Sequence, residues 1–358
     1  MCAENQIFAE EETMNTKRSQ KGFSLLEMLV SLAILMIVSG TVIAGMIRMT
    51  WSQSTIMNRT QVHSSVRNAT ELMQQEIGQA GRLGFINNLQ IGAATVGSNP
   101  SLTISSTSGL FAGEQLVVDP SSTSEETVTI SSVNPGAGTI SATFGNAHAA
   151  NTPALVMGGF ASGIVPPTGK FIFSGTGTNN TALDNSTPGQ SSNGTTLKLY
   201  GDLNGDGNMV YVVYQCSPNS SGTGTLTRYV TAAGNDITAS TTTTVSGTIL
   251  LDTLFTNPNN APCFTYFTKD AAVTINGGQV KQTFVINVAV TLTVQTQNRD
   301  LQTNAPQWET KALLNISPRN VFDAWELVSS PAGYTRAQPM PGNVLNNLLT
   351  ANLPTPTN

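Results

Sequence analysis

The stretch KGFSLLEMLVSLAILMIVSG, Lys21 to Gly40, constrains this chain more than any other. From Phe23 to Ile47, 25 residues carry a single ionisable group, Glu27. At about 1.5 Å rise per residue such a run is long enough to cross a hydrocarbon core about 30 Å thick, and it predicts a membrane-spanning helix. Lys17, Arg18 and Lys21 stand just before it; cationic flanks stay in the cytoplasm, so everything after Ile47 lies on the far side. A secretory signal peptide also starts basic, but its apolar core is shorter and is followed by a small-x-small cleavage site. Here Ser39-Gly40 and Ala44-Gly45 are weak as such a site, and the apolar segment runs on into a polar helix. A carboxylate within lipid is costly without a partner, so Glu27 needs one.

Lys21-Gly22-Phe23-Ser24-Leu25-Leu26-Glu27-Met28-Leu29-Val30 resembles the prepilin cleavage and methylation motif of type IV pilins and type II secretion pseudopilins. The resemblance implies that a membrane-embedded aspartyl peptidase, the prepilin peptidase, cuts between Gly22 and Phe23 and methylates the new amine. Glu27 is then the fifth residue of the mature chain. By the same resemblance the amine of Phe23 on an incoming subunit meets the carboxylate of Glu27 on an earlier one, and two costly buried charges become one pair. The alternative is an ordinary membrane anchor whose glutamate snorkels to the interface. The implied leader is 1–22. Met1 to Glu12 hold four glutamates and Cys2, an odd composition beside a basic flank, whereas a start at Met14 gives the short basic leader MNTKRSQKG.

The helix is expected to continue from the span (23–47) to about Gly81. Val62, Val66, Ala69, Met73, Ile77 and Ala80 recur at three- and four-residue spacing with polar residues between them, which is one apolar stripe. The sequence does not divide that stripe between the chain's own sheet and neighbouring helices. Gly81 and Gly84 are stop signals.

From Arg82 onward the chain is poor in charge, with ten Lys or Arg against fourteen Asp or Glu and no basic cluster, so nonspecific nucleic-acid binding through phosphates is not indicated. The Gly, Ser, Thr and Asn content favours sheets with polar loops. Residues 82–165 hold short strand-like pieces, SLTISST, EQLVVDP, ETVTISSV and GTISATF, and read as a small all-β insertion. Residues 166–328 hold the stronger strands: Leu197 to Tyr200, Met209 to Cys216, Leu226 to Val230, Cys263 to Phe267 and Lys281 to Gln297. In the last, Phe284, Ile286, Val288, Val290, Leu292 and Val294 alternate with polar or small residues, as in a strand buried on one face. A Pro/Asn-rich tail, 329–358, closes the chain. The expected class is α+β: a long N-terminal transmembrane and amphipathic helix packed on an antiparallel sheet, the architecture implied by the pilin resemblance, with an inserted all-β module.

After leader removal the cysteines are Cys216 and Cys263, an even pair that an oxidising compartment would bridge. Closing that loop contributes about 3 to 4 kcal/mol in the chain-entropy model; two separate buried thiols are the other reading. GDLNGDGN, Gly201 to Asn208, puts Asp202, Asn204 and Asp206 at alternate positions before Gly207, as calcium loops do. Its twelfth position is Val213 rather than Glu, and a metal-free hairpin turn accounts for the same residues. No cofactor is otherwise required. His63 and His148 have no Cys or carboxylate cluster beside them in sequence, and no catalytic set or phosphate loop is visible, so an enzyme is not expected. ELMQQEIGQAG, GDLNGDGNMVYVVYQC, LLDTLF and NISPRNVF add a resemblance to PilW-type minor pilins and, more distantly, to the J-type minor pseudopilin. That implies a structural subunit that primes or caps a pilus fibre, held in the inner membrane with its N-terminus cytoplasmic until it joins other major and minor pilins. A secretion pseudopilin and a membrane-anchored adhesin are the alternatives.

Overall fold

The computed structural model describes residues 22–82, 88–157, 159–160, 163–173, 180–182, 191–203, 209–232, 247–275, 278–301, 303–329 and 337–338. The α+β class expected from the sequence is the one adopted: one long helix followed by antiparallel sheets. Helix α1 spans Leu25–Gln79. It starts two residues later and stops two earlier than the hydrophobic pattern suggests, because Gly22–Ser24 are not helical and Gly81 turns at φ +85°. The chain divides into two compact units, one ending at Thr55 and one from Ile56 onward. In the first, every residue from Gly22 to Gln53 is exposed.

In the second unit the remainder of α1 buries one stripe. All six apolar positions picked out by spacing, Val62, Val66, Ala69, Met73, Ile77 and Ala80, are buried against the chain's own sheet. That sheet has seven strands in the order β10-β11-β12-β13-β15-β14, with β16 also on β15. They are β10 (Thr196–Gly201), β11 (Val210–Ser217), β12 (Gly224–Ala232), β13 (Gly247–Phe255), β14 (Phe264–Ile275), β15 (Gly278–Gln295) and β16 (Trp308–Ile316), and every pairing is antiparallel. Leu197, Leu199, Val212, Tyr214, Leu226 and Val290 face the helix stripe in one apolar cluster. Strand β13, strand β16 and the helix α2 (Arg319–Ser329) were not anticipated as elements.

Strand β15 departs from simple alternation. Phe267 pairs with Asn287 and Thr268 with Val285, so Ile286 is an extra residue, a β-bulge whose carbonyl accepts the Ser317 hydroxyl at 3.1 Å. An inserted residue reverses which face each preceding side chain meets. Val285, not Phe284, therefore joins Val288, Val290, Leu292 and Val294 in the core cluster. Nor is only one face covered, since Phe284, Ala289 and Thr293 are buried too.

Between α1 and that sheet lie six strands: β1 (Leu89–Ile91), β2 (Gly97–Thr103), β3 (Gln115–Val118), β4 (Glu126–Asn134), β5 (Thr139–Phe144) and β6 (Thr152–Val156), ordered β1-β6-β3-β4-β5-β2. The two ends of this order meet. Gly92 N–H donates to Thr103 O at 2.8 Å, Ser105 N–H donates to Gln90 O at 2.9 Å, and Ile91 bridges to Ile104. The sheet thus closes into a small barrel, which removes the unpaired edges that an open sheet presents. Its interior holds Leu89, Ile91, Leu102, Leu116, Val118, Ile130, Ile140, Phe144 and Val156. Strands β1 and β6 carry no alternation strong enough to read in advance. Short pieces complete the chain: β7 (Gly159–Phe160) pairs in parallel with β17 (Ala337–Gln338), and β8 (Phe171–Phe173) pairs with β9 (Asn180–Ala182).

Candidate functional site

The first candidate is the start of α1. Gly22 and Phe23 stand just ahead of the helix, which opens with Met28 N–H bonded to Ser24 O at 3.0 Å. Glu27 occupies the first turn, where the exposed N–H groups of a helix favour a negative charge. Around it the side chains are apolar and exposed, Phe23 by 77% and Leu25 by 83%. A helix apolar on all sides is stable only when lipid or other helices cover it. Over an 18-residue window of this helix, long and apolar enough to cross a membrane, none of the surface is buried by the chain itself.

What holds the other end of that helix was not legible from motifs. Glu76 lies on the buried stripe, between Met73 and Ile77, and is 5% exposed. Its carboxylate accepts from the Tyr214 hydroxyl on β11 and from Arg228 on β12, whose Nε lies 3.2 Å away and whose second nitrogen forms the ion pair. Burial, reinforced by the Glu76 charge, pushes the Tyr214 phenol up. Burial alone would lower the Arg228 guanidinium; its hydrogen bond to Glu76 and the charge there outweigh that and leave it raised. A carboxylate on an otherwise apolar stripe was the available signal, because such a group demands a partner.

A second buried pair follows α1. Arg82 donates to Gly109 O at 2.9 Å and lies 3.5 Å from Glu114, whose side chain is fully buried. The Phe111 backbone N–H, like Arg82 but more weakly, favours the ionised form of Glu114. Burial raises this carboxyl from 4.5 to about 8 despite the opposing pull of Arg82.

Both histidines have carboxylate partners that sequence distance concealed. His63 Nδ1 lies 2.7 Å from Glu309 on β16, at the rim of a shallow cleft that also includes Arg59 and Trp308. His148 Nε2 lies 2.7 Å from Glu126, and the same carboxylate accepts the N–H groups of Gly145 and Asn146. Burial opposes ionisation of Glu126, yet these hydrogen bonds hold it below the ordinary value. Both contacts staple neighbouring segments.

Cys216, on β11, and Cys263, just before β14, form a disulfide with S–S 1.92 Å and Cα atoms 6.5 Å apart. Of the GDLNGDGN loop, Asp202 is described while Asn204 and Asp206 lie outside the described residues. The loop joins β10 to β11, paired from Thr196↔Gln215 to Gly201↔Val210. Among the described residues no group of three His, Cys, Asp or Glu side chains converges as a metal site would require.

An uncovered apolar helix with one acid in its first turn continues into a segment locked to a sheet by apolar contacts, a buried ion pair and, within the sheet, a disulfide. Residues 17–43 match the sequence family described as the prokaryotic N-terminal methylation motif. No curated protein and no solved structure matches the chain.

Proposed function

From the prepilin-type signal that the chain shares with type IV pilins and pseudopilins, we propose that it is a minor pilin of the PilW type, a structural subunit that primes or caps a pilus fibre. One observation carries this reading: from Leu25 to Ile47 the helix is exposed on every side and apolar apart from Ser31, Ser39, Thr41 and one acid, Glu27. Such a surface is covered first by lipid and then by the helices of other subunits. In this account prepilin peptidase cuts between Gly22 and Phe23 while the chain rests in the inner membrane with its N-terminus cytoplasmic. The cationic amine of Phe23 then finds Glu27 of a neighbour, because leaving either charge unpaired in an apolar fibre core is the costlier state. Residues after the helix face the periplasm and finally the cell surface, where the Cys216–Cys263 bridge is chemically at home. The GDLNGDGN loop serves as a hairpin connection without metal.

Gene deletion followed by electron microscopy tests the reading. Loss of surface fibres, restored by the wild-type chain and not by Glu27→Ala, is the expected result. Normal fibres combined with failed protein secretion would instead assign the chain to a secretion pseudopilus. Mature protein that still begins upstream of Phe23 would end both readings.

A further inference from the structure

The polypeptide leaves the helix–sheet body and returns to it at one place. Gly81 N–H donates to Tyr200 O at 2.8 Å, and Tyr200 N–H donates to Gly163 O, also at 2.8 Å. Departure and return therefore bracket a single residue of β10. The two glycines touch: a Cβ on Gly163 would lie 2.1 Å from Gly81 N and 2.5 Å from its Cα, and a Cβ on Gly201 would lie 2.8 Å from both Gly81 N and Gly81 O. Only glycine permits so close a backbone approach. Asn320 at the start of α2 completes the joint by donating to Gln79 O and Gly81 O at 3.1 and 3.2 Å.

Between those glycines sits the barrel, and the two apolar cores share no residue. The helix–sheet core runs from Val62 to Ala80 and resumes at Ile164; the barrel core begins at Leu89 and ends at Val156. No strand of the barrel pairs with a strand of the main sheet among the described residues. The buried contact beside the joint, Arg82 with Glu114, lies wholly within the inserted segment, so removing the segment takes out both partners together. Because the two end strands meet at Ile91 and Ile104, the barrel lacks, among the described residues, the full-length free edges of an open sheet onto which a neighbouring subunit could add a strand.

We propose that residues 82–162 are a passenger module: a barrel mounted through the Gly81–Gly163 joint on a helix–sheet subunit that folds and assembles without it. Assembly determinants then lie in 23–81 and 163–329, and the barrel's surface is left for contacts other than those that build the fibre. Its charge narrows those contacts, since between Arg82 and Lys170 the sequence has four acidic residues and no Lys or Arg, which disfavours a polyanionic partner.

Two variants of the full chain test this. In the first, 82–162 are deleted and Gly81 is joined to Gly163 through one glycine. Expected are an intact Cys216–Cys263 bridge, a cooperative thermal transition and, in a strain lacking the gene, fibre numbers within twofold of wild type. The second, Ile130→Asp, places a charge in the barrel core alone. Amide hydrogen exchange should then show lost protection in β3, β4 and β5 and retained protection in β11 and β15. Joint loss of protection in both sheets would overturn the proposal, as would a folded deletion variant that leaves cells without fibres. The folding readouts do not depend on the pilus reading, so its failure, seen as normal fibres in the gene deletion, stays distinguishable.

Discussion

Glu114→Gln isolates the energetic consequence of burying a carboxyl beside the barrel core. In the folded chain the group is raised from 4.5 to about 8 by burial. A raised acid is held neutral, so its favourable contribution is fully present below pH 4.5, where the unfolded chain is protonated too. It is lost as pH rises towards 8, because the unfolded chain releases the proton and the folded chain resists. Moving the carboxyl from 4.5 to about 8 corresponds to about 5 kcal/mol, an upper figure that solvent entry into a small barrel reduces to about 2 to 5 kcal/mol. Glutamine keeps the shape and cannot ionise. Urea unfolding in detergent, followed by circular dichroism at pH 5, 7 and 9, should find the variant gaining on the wild type by that amount between pH 5 and 9. The comparison cancels every other titrating group. Parallel stability curves from pH 5 to 9 would refute the argument, and with it the assignment of Glu114 as buried in its neutral form.

Arg228→Met strands the Glu76 carboxylate inside the helix–sheet contact and should destabilise by about 3 kcal/mol, the lower end for breaking a buried pair because Arg228 reaches solvent. Tyr214→Phe, which removes one hydrogen bond to the same carboxylate, should lose about 1 to 2 kcal/mol in the same urea assay. Met73→Ala opens a cavity under a fully buried side chain and should lose about 2 to 5 kcal/mol. Reduction of the Cys216–Cys263 bridge, separated by 47 positions, should add two hydrogens by mass and lower stability by about 4 kcal/mol.

The local signals were the ones that needed no distant partner. The apolar run behind Gly22 specifies a helix and its surroundings by length alone, and the stripe Val62 to Ala80 declares its buried face through spacing alone; all six of its positions are buried. Strands β10, β11 and β14 announced themselves because β-branched and aromatic residues cluster there. Tertiary structure decided what depends on residues far apart meeting. Glu76 meets Arg228 across 152 positions, and His63 meets Glu309 across 246. Ring closure of the barrel rests on backbone N–H and C=O groups of β1 and of the segment after β2, which every sequence possesses and none advertises. The bulge at Ile286 puts Val285 rather than Phe284 in the helix–sheet cluster and buries Phe284 on the other face, because period-two alternation is phased by neighbouring strands, not by the strand itself. Composition and periodicity encode what a segment wants to bury; only the assembled chain determines what it is buried against.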